Sequence, residues 1–195
     1  MAVERPGGRT AAVRDAVLRA TADLLIEAGL EGLELTAVAE RAGVGKSTVY
    51  RRWGSVPALV ADLLVDMAEQ SLPRADTGSL RGDLRANAKL VRRTLNDPRQ
   101  GRLFKSVIAA ATCDPHPAAA LEAFYGRRIA EWAGCVADAV ERGEAPAGTD
   151  AAAVIRQVSA PLYYQFLTST RTLTVADADR AVEAAIAATT AGVFS

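Results

Sequence analysis

Side chains able to donate hydrogen bonds to an anion crowd one short stretch of the chain. Between Arg41 and Ser55 stand Arg41, Lys46, Arg51 and Arg52, with no Asp or Glu among them. Lys46, Ser47, Tyr50 and Arg51 follow at i, i+1, i+4 and i+5, so on a helix they share one side. Val49 and Trp53, at i and i+4, fall on the opposite side. The inner pair can anchor such a helix while the outer set reads a surface. Lys46 and Arg51 suit guanine edges or phosphate, Ser47 and Thr48 suit bases or phosphate, and the Tyr50 phenol suits a phosphate oxygen. Arg52 adds a cation at the helix end, where a basic side chain also complements the helix dipole.

A second short helix is expected just before this one. Thr36, followed by Ala37-Val38-Ala39-Glu40, is placed to cap it, and the hydroxyl with the free backbone amides favours an anion. Gly43-Val44-Gly45 ends it, because two glycines free to take positive φ allow a sharp turn before Lys46 or Ser47 opens the next helix. Two short helices at a tight turn, the second polar outside, are what a helix-turn-helix needs to lay one helix in the DNA major groove.

Other chemistries find little support. Gly43 to Thr48 reads GVGKST, but a phosphate-binding loop needs glycine where Glu40 stands, and it follows a strand rather than a helix. His116 is the only histidine and lies between two prolines, so neither a multi-histidine metal site nor a Ser-His-Asp triad can be assembled. No catalytic activity, metal or cofactor is expected. Cys113 and Cys135 lack a CxxC partner and are expected as small buried hydrophobes in a reducing compartment.

Half of the 195 residues are hydrophobic but only 5% are aromatic, a balance that suits closely packed helices and predicts an all-α fold. The formal net charge is zero, so attraction to nucleic acid must be local: the Arg41–Ser55 stretch, and Arg5, Arg9 and Arg14 near the N-terminus. No signal peptide and no apolar run long enough to span a bilayer is found, so a soluble, cytoplasmic protein without a membrane partner is expected. Apolar periodicity predicts about nine helices. The first opens near Thr10, the fourth covers 57–72, and the fifth carries Leu80, Leu84, Val91 and Leu95. The sixth covers 101–112 and the seventh 118–142. The eighth follows the Asp150 cap and is kinked at Pro161, and the ninth covers 176–191. The expected layout is a mobile arm (1–9), a helix-turn-helix domain (10–56), a connecting helix and boundary (57–77) and a larger helical domain (78–195).

The run LTAVAERAGVGKSTVYRRWGSVPALV, Leu35 to Val60, resembles the DNA-binding region of the TetR family of bacterial transcriptional regulators. That region's pattern includes I/V-A-x-x-A-G-V-S-x-x-T-L/V-Y-x-x-F/W. The resemblance covers about residues 10–65. It implies a homodimer whose N-terminal domains each bind a half-site of a palindromic operator. Its C-terminal domains, here 78–195, would hold a small-molecule pocket and the dimer interface, and the ligand usually releases the DNA. By position, Lys46, Ser47 and Arg51 would face bases, and Thr36, Thr48, Tyr50 and Arg52 phosphates. Val56-Pro57 departs from the family, which often carries a basic residue there. The last two helices would pair with the partner's; Ala151 to Ala153, Ile155, Val158, Ala160 and the alanines of 181–191 fit this, or pack inside one subunit.

Phe104, Ile108, Phe124, Arg128, Trp132 and Tyr163 would line the pocket of a largely apolar effector, although aromatic stripes at helical spacing also serve as core. Arg128 could meet an acidic ligand or an internal carboxylate. Two other readings share these observations. One is an activator with the same head; the other is an all-helical ligand-binding protein or enzyme whose N-terminal helices are structural.

Overall fold

Helix starts and stops in this chain follow from its caps and prolines. The computed structural model describes residues 6–70 and 73–195, with side chains from Thr10 onward. Among these residues there are nine α-helices and no strand: α1 (Pro6–Ala28), α2 (Leu35–Ala42), α3 (Lys46–Trp53), α4 (Val56–Glu69), α5 (Leu80–Asn96), α6 (Pro98–Cys113), α7 (Pro115–Glu141), α8 (Ala151–Thr168) and α9 (Val175–Thr190).

Several boundaries differ from expectation for identifiable reasons. α1 opens at Pro6, ahead of Thr10; proline suits a first turn because its missing N–H has no intrahelical partner there. The expected arm before Pro6, with Arg5, lies outside the described residues, as do Ser71 and Leu72; α4 ends at Glu69. α6 and α7 likewise open on Pro98 and Pro115 rather than near 101 and 118. The Asp97 carboxylate accepts from the backbone N–H of Arg99 and Gln100 (3.0 and 2.8 Å), and Asp114 accepts from that of His116 (2.8 Å). Both are N-caps that stand before a proline. Asp150 caps α8 as expected, and α8 continues through Pro161 to Thr168.

The chain divides into two compact units, Met1–Gln70 with Arg102–Phe124, and Ser71–Gly101 with Tyr125–Ser195, so the division falls within α6 and α7. In the first, α1 packs on α2 and α4, and α2 on α3. Val17, Leu25, Val38, Ala39, Val49 and Leu59 form its core. Ser106 of α6 donates to the Leu25 carbonyl (3.0 Å), tying that helix to the end of α1.

In the second unit α5, α8 and α9 pack on one another. Asn96 exchanges two hydrogen bonds with the backbone of Leu173 (2.7 and 3.0 Å), and Thr174 and Asp177 form a reciprocal capping box at the start of α9. The buried Asp177 carboxylate also accepts from Arg171 (2.9 Å) and Arg180. Arg171, the Thr174 backbone and hydroxyl, and Gln165 together hold its pKa well below the usual carboxylate range, against the effect of burial.

Of the residues that suit either a subunit interface or the interior of one subunit, Ile155, Val158, Ala181 and Ala185 are buried within the chain itself. One expectation is corrected: Cys135 is buried, with desolvation pushing its thiol up to about 12, but Cys113 at the end of α6 is exposed.

Candidate nucleic-acid interface

The turn that presents α3 begins at Gly43, whose φ of 65° is left-handed and lets the N–H of Val44 reach back to the Ala39 carbonyl (3.0 Å). Only this glycine needs its freedom: Gly45, also expected at positive φ, has φ −59° and serves as the N-cap of α3. Val49 is fully buried and Trp53 nearly so, while Lys46, Ser47, Tyr50, Arg51 and Arg52 are exposed and Thr48 is half-buried. The two-faced helix read from the spacing is therefore present.

Neighbouring groups hold several of these side chains. Lys46 Nζ lies 2.8 Å from Glu40 Oε1 across the turn, and the pairing raises the lysine pKa and lowers that of the glutamate. Arg52 lies over the Trp53 ring, 5.0 Å from its centroid, and donates to the Thr10 carbonyl (3.3 Å). Thr36 is not the cap of α2. Glu34 holds that position without a side-chain cap bond, and the Thr36 hydroxyl donates to the Glu34 carboxylate (3.2 Å), so the start of α2 carries a negative charge beside the expected phosphate site. Arg41 is paired with Glu27 (3.0 and 2.8 Å).

Beneath α3 lies an ionic cluster that the sequence did not single out. Trp53 Nε1 donates to Asp62 Oδ2 of α4 (2.9 Å), Arg14 of α1 donates to Asp62 Oδ1 (2.8 Å), and a second Arg14 nitrogen donates to Asp66 Oδ1 (2.8 Å). Burial acts to raise the Asp62 pKa, but the bonds from Arg14 and Trp53 overcome it and hold the carboxyl below its usual range. Arg14, grouped by sequence with the N-terminal cations, is thus an internal ion-pair partner. The only signal for this was the i, i+4 spacing of Asp62 and Asp66, which names no partner.

The six expected effector residues fall in different units. Phe104, Ile108 and Phe124 belong to the first, where the Phe104 and Phe124 rings meet at 5.7 Å. Arg128, Trp132 and Tyr163 belong to the second, where the Tyr163 ring meets Tyr125 edge-on at 5.4 Å. Tyr164, next along α8, is 72% exposed and lines a groove of about 580 Å³ with Gln157, Ala160, Pro161, Thr168 and Arg171.

A profile described as bacterial regulatory proteins, tetR family, matches residues 17–63, and another, tetracyclin repressor-like, C-terminal domain, matches residues 74–185. The chain is 30% identical over 168 residues to the HTH-type transcriptional regulator YdeS of Bacillus subtilis, covering 86% of this chain and 84% of YdeS. The chain belongs to the TetR family.

A second relative of this TetR-family chain, the HTH-type transcriptional regulator AqdR of Rhodococcus erythropolis, is 30% identical over 78% of this chain and 73% of AqdR. Among solved structures, the TetR family transcription regulator SCO0332 aligns with a TM-score of 0.70 at 28% identity, over 90% of this chain and 97% of its own. A TetR-family structure from Mesorhizobium loti shares the fold, with a TM-score of 0.71 at 20% identity over 97% and 98% of the two chains. This protein is therefore a DNA-binding transcriptional regulator, of a family whose members are not enzymes. No helix among the described residues is long and apolar enough to cross a membrane.

Proposed function

We propose that the protein is a cytoplasmic, homodimeric repressor that binds a palindromic operator and leaves it when a small molecule binds. The observation that carries the DNA-reading half is α3, with Val49 and Trp53 buried and the polar side chains on its other face in solvent. Lys46, Ser47 and Arg51 contact bases; Thr36, Thr48, Tyr50 and Arg52 contact phosphates. Lys46 must exchange Glu40 for DNA to do so.

Subunit pairing uses the outward faces of α8 and α9. Ala160, Pro161, Tyr164 and Leu167 are exposed on α8, and Ala184, Ala187 and Ala191 are exposed along or just beyond α9. Small side chains permit close helix approach, and a two-fold interface pairs the same surface on both copies. Of the expected effector residues we retain Arg128, Trp132 and Tyr163, which belong to one unit; Phe104 and Phe124 pack on each other in the other.

The test is selection of operator fragments from genomic DNA, followed by titration. Arg51→Ala and Lys46→Ala should each weaken operator binding about 10- to 100-fold, the value of one good base contact, and relax preference for the selected site. Unchanged affinity and preference in both variants would remove α3 from the reading role.

A further inference from the structure

Trp132 of α7 is only 3% exposed, and its indole Nε1–H meets no hydrogen-bond partner. An indole nitrogen donates and never accepts, and buried donors are normally satisfied, so this one calls for an acceptor. Phenylalanine at this position would fill similar apolar space without leaving a donor unmet.

The surroundings of Trp132 give that acceptor a character. Tyr125, Arg128 and Trp132 stand at i, i+3 and i+7 and so share one face of α7, with Arg128 and Trp132 one turn apart. Tyr163 of α8 packs edge-on against Tyr125. Arg128 is half-buried, and desolvation lowers its pKa against the pull of Glu131 and Tyr163. A guanidinium and an indole N–H, neither able to accept, share a face of α7 with the Tyr125 phenol, and the Tyr163 phenol acts on Arg128. Such a set favours an anionic oxygen, and the aromatic rings favour an apolar body behind it.

We propose that this face of α7, with Tyr163, binds an organic carboxylate whose oxygens accept from Trp132 Nε1–H and from Arg128. The inference rests on the ligand-responsive reading above and narrows its effector from largely apolar to apolar with an acidic head. Trp132 is covered by its neighbours, so a ligand that reaches its N–H displaces part of that cover and changes its emission.

The experiment titrates the full-length protein with matched probes: benzoate, phenylacetate and decanoate against benzyl alcohol, phenylethanol and decanol. Binding is read by thermal shift, and by fluorescence in Trp53→Phe, where Trp132 is the only tryptophan. At least one carboxylate is expected to bind about tenfold or more tighter than its alcohol, about 1.4 kcal/mol, and to shift Trp132 emission. Trp132→Phe keeps a ring and loses the N–H, and Arg128→Gln keeps the length and loses the charge. Each should erase the head-group preference while retaining the circular dichroism of the parent. Alcohols binding as tightly as carboxylates, no carboxylate binding up to millimolar concentration, or a preference that survives both substitutions would overturn the proposal. Operator release is scored separately: release by neutral probes alone leaves a ligand-responsive repressor but removes the carboxylate site. A carboxylate that binds with the stated preference yet leaves the operator bound keeps the site and removes the release mechanism.

Discussion

Replacing Asp62 by alanine should loosen the reading head without touching any side chain that faces DNA. The carboxylate accepts Trp53 Nε1–H at 2.9 Å and Arg14 at 2.8 Å, with side chains only 25% and 20% exposed for Asp62 and Arg14. Alanine leaves a nearly buried indole N–H without its acceptor and Arg14 with the Asp66 carboxylate and the backbone carbonyl of position 62. A hydrogen bond to a charged group contributes about 1.5–3 kcal/mol, and partial exposure discounts the Arg14 share, so a total near 3 kcal/mol is expected. At about 2–4 °C per kcal/mol for a chain of this size, melting should fall by about 6–12 °C.

Trp53→Phe removes one of the same bonds and should cost about 1–2 kcal/mol. Because both changes break a shared contact, the double variant should be less destabilised than the sum by about 1 kcal/mol. Denaturant titrations with each variant give the cycle, and operator titrations at fixed salt should show weakened binding with an unchanged salt slope, since no phosphate contact is lost. Strictly additive effects, or a loss below about 0.5 kcal/mol for Asp62→Ala, would refute the view that Asp62 joins α3 to α1 and α4.

Three further outcomes follow from other contacts. Glu40→Gln frees Lys46 and removes a negative charge beside the DNA-facing helix, so operator affinity at low salt should rise severalfold and its site preference fall; a fall in affinity would show instead that Glu40 orients the lysine productively. Asp62 and Asp177 both have folded pKa values below the unfolded value of about 3.9, so their contribution is complete above about pH 5 and is lost as pH falls through the unfolded and then the folded values. Melting temperature should hold from pH 7 to about 5 and drop below about 4, with a smaller drop in Asp177→Asn; equal drops in both proteins would exclude Asp177 as a contributor. Tyr164→Glu puts a charge on the exposed face of α8 and should shift the protein from dimer to monomer in light scattering, with operator affinity falling at least about tenfold; a dimer of unchanged affinity would place the interface elsewhere.

The helix-turn-helix was legible in the sequence because its determinants are local. Helical spacing alone puts Val49 and Trp53 opposite Lys46, Ser47 and Arg51, and a glycine at the turn allows the left-handed backbone at Gly43. Caps and prolines were partly legible: Ser55 and Asp150 cap α4 and α8, accepting from Ala58 and Ala153. Asp97 and Asp114 were not legible as caps because each stands before a proline, which suits the end of one helix as well as the first turn of the next.

Partners distant in the chain were not legible. The sequence of Arg14 is compatible with an arm cation, and only the packing of α1 on α4 sets it between Asp62 and Asp66. The sequence likewise left Ile155, Val158, Ala181 and Ala185 open between subunit interface and internal core, since small and apolar residues suit both; the mutual packing of α5, α8 and α9 put them inside. Periodicity tells which face of a helix is apolar, and so the sequence determined the helices and the two-faced reading helix. Which neighbour each face meets depends on how separate helices come together, and so the tertiary structure alone decided the Asp62 cluster, the Glu40–Lys46 pair and the burial of the Trp132 donor.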